Sequence, residues 1–280
     1  MRKFILLLLS NVKSRGFLLF LSTAICCHLS IANLSDLDEA LNESLNADSS
    51  WSKAESFGAE RYQKFRNVLR TYGIERFKED LIKQGVFSRD GNILPAKVPF
   101  NAFARILSGD LIPNYSLTEL VNYGMEEEQK RYLLAGNKPE LDENWNSTEA
   151  AYLGKASMSK MHKFLIPRNP GWHTFNILTF GLKGDNYDIK TLQEDIRLLQ
   201  DMKRTAIAYA QKKDPTLTEE NIILCFHVYP LNSVHWLHMH ILDRRYLGPT
   251  YLKLKQKNLF IDDAIAVLQS ELLVHYSESH

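Results

Sequence analysis

A chain of 280 residues, 45% apolar and 24% charged, is long enough for one large domain or a domain with an extension, and its composition is ordinary for a globular protein. The formal net charge of +1 gives no electrostatic argument for nucleic acid or anionic lipid as a partner. Three cysteines exclude a disulfide framework: Cys26 and Cys27 fall in an N-terminal leader, and Cys225 stands alone in an apolar run as a small hydrophobe, so no pair remains for a zinc finger.

Residues 1–32 read as a signal peptide. Met1-Arg2-Lys3, with Lys13 and Arg15, makes the segment basic, and Gly16 to Cys27 is apolar over less than the roughly 20 residues that span a bilayer. Ser30-Ile31-Ala32 then offers small residues for cleavage. A second apolar stretch, Phe4 to Leu9, lengthens the leader and keeps an uncleaved membrane anchor as the alternative. The expected protein is exported, periplasmic or secreted, with no stable membrane span once the leader is cleaved.

Residues 33–99 read as a helical N-terminal extension. Leu34, Leu37, Leu41 and Leu45 recur at helical spacing, and further helical stretches run from Ala54 to Thr71 and from Ile74 to Gln84. Arg89-Asp90-Gly91-Asn92 signals a turn, and Pro95 and Pro99 mark a linker. Residues 100–280 make up the expected catalytic domain. It opens with a short helix from Phe103 that ends at Gly109, and residues 116–158 read as an insertion of short helices. Strands are expected at Lys163 to Pro167, Trp172 to Phe180 and Asn221 to Tyr229. Between the last two, a long amphipathic helix from Ile189 to Lys212 puts Leu192, Ile196, Leu199, Met202, Ala206 and Tyr209 on one face. Leu259 to Leu273 closes the chain as a helix. The order predicts an α+β fold, with an antiparallel sheet, a long crossover helix and the strand described next near the middle of the sheet.

That strand is Ser233 to Leu242, which packs three of the nine histidines into six residues. Alternation puts Trp236, His238 and His240 on one face, and His235, Leu237, Met239 and Ile241 on the other. Three readings compete for the pair His238 and His240. In covalent phosphoryl or nucleotidyl transfer, one neutral imidazole attacks phosphorus while the second donates to its oxygens, with Asn232 and Ser233 as neutral donors in the preceding turn. In a metal site, His-x-His supplies two ligands and His227 or His173 a third. In the third reading the histidines are satisfied by hydrogen bonds within the sheet.

The run Ser233-Val234-His235-Trp236-Leu237-His238-Met239-His240-Ile241-Leu242 resembles the signature of the histidine-triad (HIT) superfamily. Ile106 to Pro113 is similar to that family's N-terminal segment, though one residue longer. Phe226-His227-Val228-Tyr229-Pro230 resembles the strand before the triad in the aprataxin-like and scavenger decapping branches, and Pro249, Lys255, Asn258 and Phe260 follow in an aprataxin-like pattern. The resemblance covers roughly residues 100–270 and implies a HIT-like fold.

Carried over, it implies a nucleotide hydrolase or transferase that attacks the α-phosphorus of a nucleotide diphosphate, phosphoramidate or related ester, with His238 as the nucleophile that takes up the nucleotidyl group. His240 would contact phosphate oxygens, and Asn232 and Ser233 would form the phosphate-contacting turn. His227 is the candidate proton donor to the leaving group, and Trp236 and Lys255 are further candidates for substrate contact. His162 and His235 are expected to stand outside the chemistry. Trp236 replaces the family's first histidine, and Pro230 lies two residues further from the nucleophile than in the family. The chemistry implies no cofactor and no metal. Its partner is a nucleotide-containing small molecule rather than a nucleic acid, and a homodimer is admitted. A HIT-like module that has lost catalysis and holds a nucleotide or protein, or a metal-dependent hydrolase using the His-x-His pair, are the competing functions.

Overall fold

A computed structural model describes residues 36–92, 94, 102–108, 119–121, 131–168, 172, 175–183 and 186–278. The leader at residues 1–32 lies outside them, as does His173.

The described chain opens with three helices, α1 (Asp36–Asn46), α2 (Ala59–Tyr72) and α3 (Ile74–Lys83). Leu37, Leu41 and Leu45 bury one stripe of α1, and Tyr62, Phe65 and Leu69 do the same on α2. Gly73, between α2 and α3, has φ +98°, a backbone conformation that glycine adopts without steric cost. A short helix, α4 (Ala102–Ser108), precedes two strands, β1 (Glu119–Val121) and β2 (Tyr132–Gly136). Then come α5 (Pro139–Glu143), β3 (His162–Pro167), and the two-residue strands β4 (Leu182–Lys183) and β5 (Asn186–Tyr187). The long α6 (Ile189–Lys213) starts at Asp188, whose side chain caps the Lys190 N–H. It leads to β6 (Ile222–His227), β7 (Met239–Asp243), α7 (Pro249–Leu254), β8 (Asn258–Phe260) and α8 (Ile261–Glu278).

Six of these strands form one antiparallel sheet in the order β1-β2-β3-β7-β6-β8. Helix α6 carries the chain across from β3 to β6, and β7 then returns between them. The expected α+β fold with a long crossover helix and a near-central histidine strand is what forms. Leu134, Leu165, Met239, Ile241, Leu224 and Phe226 are opposite or alternate neighbours on one face. All are buried, and they share one core with Leu192, Leu199, Met202 and Ala206 of α6 and Ala264 and Leu268 of α8. The N-terminal helices belong to that core through Leu41, Phe65 and Phe77. Arg66 of α2 binds Glu271 of α8 in two bonds of 2.9 and 2.6 Å and donates to the Leu178 carbonyl at 3.1 Å, all within the interior.

Three expected elements differ. The strand expected from Ser233 begins only at Met239, because the chain from 228 to 238 is irregular and Trp236 turns through φ +81°. Within 172–180 the described residues hold a 3-10 turn at Ile177–Thr179 instead of a strand. The Asn176 side-chain oxygen accepts from the Leu178 and Tyr229 N–H groups, a local partner that competes with a strand ladder. In the segment expected to be all helix, Tyr132–Gly136 is a strand, paired along its length with β3.

Candidate active site

The opposite face of the sheet carries the imidazoles. Phe164 lies directly across from His240 and His162 across from Leu242, so His162 and His240 are diagonal neighbours on one side. On the other flank Cys225 pairs with His240, and His227, two residues further along β6, points the same way. The His227 and His240 ring centroids are 4.5 Å apart, and those of His162 and His240 5.2 Å. His238, one residue before β7, brings its ring within 5.1 Å of His240 and 4.9 Å of Phe103 on α4. It is 9% exposed.

The hydrogen bonds fix which nitrogens carry protons. His238 Nδ1 lies 2.9 Å from the Trp236 carbonyl, which can only accept, so Nδ1 holds the proton and Nε2 keeps its lone pair. His240 is set the other way. The Met158 backbone N–H donates to His162 Nδ1 at 3.1 Å, so the His162 proton sits on Nε2, which donates to His240 Nδ1 at 2.9 Å. His240 therefore carries its proton on Nε2, a buried atom with no hydrogen-bond partner among the described residues. A bare nitrogen and an N–H thus stand on adjacent rings. Burial pushes His238 and His227 down to about 4 and His162 to about 3, and holds His240 well below 6.5, so all four rings are neutral at pH 7. Neighbouring imidazoles add to the depression in His162, His227 and His240.

The remaining sequence candidates divide. His227 Nε2 meets Asn258 Oδ1 at 2.9 Å, and a carbonyl-type oxygen makes that nitrogen the donor. Asn232 is buried, and its amide nitrogen braces the loop by donating to the Val234 carbonyl at 2.9 Å and to His235 Nδ1 at 3.1 Å. Ser233 is exposed. Trp236 does not share the face of His238 and His240 as alternation suggested: its backbone N–H donates to the Phe175 carbonyl and its indole to the Pro167 carbonyl at 2.9 Å. Lys255 is engaged by Glu55. His235 packs between Phe175 and Tyr229, as a core residue would.

His162 is the residue sequence reasoning passed over. Its signal was faint: one histidine two residues before a phenylalanine in an apolar run, with its partner 78 residues away and reached only through strand register. Among the described residues no group of three or more His, Cys, Asp or Glu side chains is arranged to hold a metal ion. None of their helices is long and apolar enough to cross a membrane.

An antiparallel sheet presenting neutral imidazoles, with a long crossover helix behind it, is consistent with a HIT-like fold. Residues 159–253 match the family described as scavenger mRNA decapping enzyme C-term binding, a family of the HIT-like superfamily. Relatives in this superfamily are generally nucleotide hydrolases. Among solved structures, the chain is similar to "Hnt3 in complex with DNA and guanosine", at 16% identity over 58% of this chain and 73% of that one, with a TM-score of 0.34. No curated protein matches.

Proposed function

We propose that the protein is a HIT-like hydrolase or transferase that attacks the α-phosphorus of a nucleotide diphosphate, phosphoramidate or related ester through a nucleotidyl-His238 intermediate. The observation that carries this reading is the opposed tautomer pair, a lone pair on His238 Nε2 beside an N–H on His240 Nε2.

The lone pair of His238 forms the N–P bond as the bond from phosphorus to the leaving group breaks. The leaving group keeps that electron pair and takes a proton from water. The substituted ring becomes cationic and keeps its Nδ1 proton on the Trp236 carbonyl, which stabilises the charge. His240 Nε2–H donates to a non-bridging oxygen as charge gathers there. Water then attacks phosphorus, the N–P bond breaks, the lone pair returns to Nε2, and a nucleoside monophosphate and a proton leave. His227, neutral and donating to Asn258, accepts at Nδ1 in this scheme and orders that water. The leader-like residues 1–32 support an exported protein, and with it a nucleotide-linked small molecule as substrate rather than a nucleic acid.

The second reading, a binding module without turnover, draws on Trp236 in place of the family's first histidine and on the Phe103 ring covering His238. Intact-protein mass spectrometry after acid quench separates the two, with a nucleotide phosphoramidate or dinucleoside polyphosphate offered to the wild type and to His238→Ala. A nucleotidyl adduct in the wild type and none in the variant is the expected result. No adduct and no released monophosphate across several nucleotide classes would leave the binding module.

A further inference from the structure

Behind His162 lies a polar cluster that no step above uses. Asn137 follows directly on β2, and its amide nitrogen lies 3.1 Å from His162 Nδ1 and 2.7 Å from Ser157 Oγ. The Ser157 hydroxyl donates to Asp142 Oδ1, and Lys163 Nζ stands 3.5 Å from Asp142 Oδ2. Asn137, Asp142 and Ser157 all precede the residues 159–253 that match the family.

The donors in this cluster run one way. Met158 N–H already makes His162 Nδ1 an acceptor, so only the nitrogen end of the Asn137 amide can face it. Ser157 spends its proton on Asp142 and must accept from the same NH2 group. The amide thus points its two protons at Ser157 and His162, with a longer contact of 3.5 Å to Asp142 Oδ1, and the Asp142 carboxylate anchors the cluster. The alignment continues through His162 Nε2–H to His240 Nδ1 and ends on His240 Nε2–H, which has no partner among the described residues.

We propose that Asn137 is a positioning residue: its amide keeps the proton off His162 Nδ1, and through His162 it holds His240 in the tautomer that presents an N–H to the site. The groups facing His162 are His240, His227, His238, Lys163 and, through Asn137 and Ser157, Asp142. Burial, His227, Lys163 and His238 disfavour a second proton on the ring; a carboxylate in the place of Asn137 would attract one.

The proposal rests on the reading of the preceding subsection only for its consequence in catalysis, so the primary test does not use activity. Ring-nitrogen NMR of the full chain reports which imidazole nitrogens carry protons. Asn137→Asp combined with Asp142→Asn moves the carboxylate to the His162 side without creating a carboxylate pair. The expected result is a proton on His162 Nδ1 in the double variant and none there in the wild type at pH 7. A bare Nδ1 in both would mean that the Met158 N–H alone sets the ring, and would overturn the proposal. Asn137→Ala supplies the second measurement. It removes a donor from the neutral form, so His162 should take up its proton at a higher pH than in the wild type; an unchanged titration would count against Asn137. In the adduct assay both variants should form nucleotidyl-His238 at least about tenfold more slowly, the scale of a lost transition-state donor. If the wild type forms no adduct, the proposed activity fails while the ring-nitrogen result still judges Asn137.

Discussion

The two faces of one sheet follow opposite rules. On one, Leu134, Leu165, Met239, Ile241, Leu224 and Phe226 meet the long helix and the closing helix, and stability comes from apolar area removed from water. On the other, His162, His240 and the nearby His238 are buried and His227 is half-buried, and they are held by directed bonds to a backbone N–H, a carbonyl, an amide and one another. The same strand serves both, because Met239 and Ile241 point one way and His240 the other. Burial is thus used twice: to stabilise on the first face, and on the second to keep imidazoles neutral, a condition for nucleophilic attack near pH 7.

The largest effects should divide cleanly between the faces. His238→Ala should lower turnover by at least about a thousandfold, since it removes the atom proposed to form the bond to phosphorus, while its thermal midpoint stays close to that of the wild type. Leu165→Ala, behind the same strands, should do the reverse. It empties a fully buried site and should cost about 2–5 kcal/mol in a denaturant titration, with the surviving folded protein still forming adduct. A His238→Ala variant that keeps full turnover would break the comparison at its functional end.

Acid should act next, and through the histidine face. The folded pKa values of His162, His227, His235, His238 and His240 all lie below the 6.5 of an unburied imidazole, at about 3 to 4 where a value is resolved. With the folded values depressed, their contribution to stability is fully present above about pH 6.5 and is lost as the pH falls toward about 4. Denaturant midpoints measured across that window should drop steeply on acidification. A flat profile would mean that these rings protonate without cost and are not enclosed as described.

Much of this arrangement was legible in the sequence. The apolar stripe from Leu192 to Tyr209 announced the crossover helix, observed at Ile189–Lys213, and the runs at Lys163 to Pro167 and Asn221 to Tyr229 announced the strands that flank the histidines. The spacing of His238 and His240 announced the pair. Alternation misled just before it, because a period of two is also met by a loop whose side chains are individually satisfied. Trp236, with its indole on Pro167 and φ at +81°, leaves the ladder without breaking the pattern. The tautomers were not legible, since they depend on atoms far apart in the chain: a backbone N–H at Met158, an amide at Asn137, and a strand register that sets His162 beside His240. Tyr132–Gly136 was missed because a five-residue apolar run is too short for periodicity to separate strand from helix.

The smallest predicted effect tests the one buried carboxylate of α6, on the apolar side. Asp195 accepts the Gly181 N–H at 2.6 Å, yet burial pushes its pKa up to about 7; that bond and the Arg66 charge lower it only in part, and Glu194 adds to the rise. Its folded value lies above the unfolded 3.8, so the sign is opposite to that of the histidines. Its contribution is fully present below about pH 4 and is lost as the pH rises through about 7. Asn in its place can still accept from Gly181 through its carbonyl oxygen but cannot ionise. Asp195→Asn should therefore match the wild type near pH 4 and pull ahead of it as the pH rises to 7. Over that range the histidine face gains stability in both proteins, so the difference between their midpoints isolates the carboxylate. A difference that does not grow with pH would place the Asp195 carboxyl in contact with water, and would make the division between the two faces less complete than their burial implies.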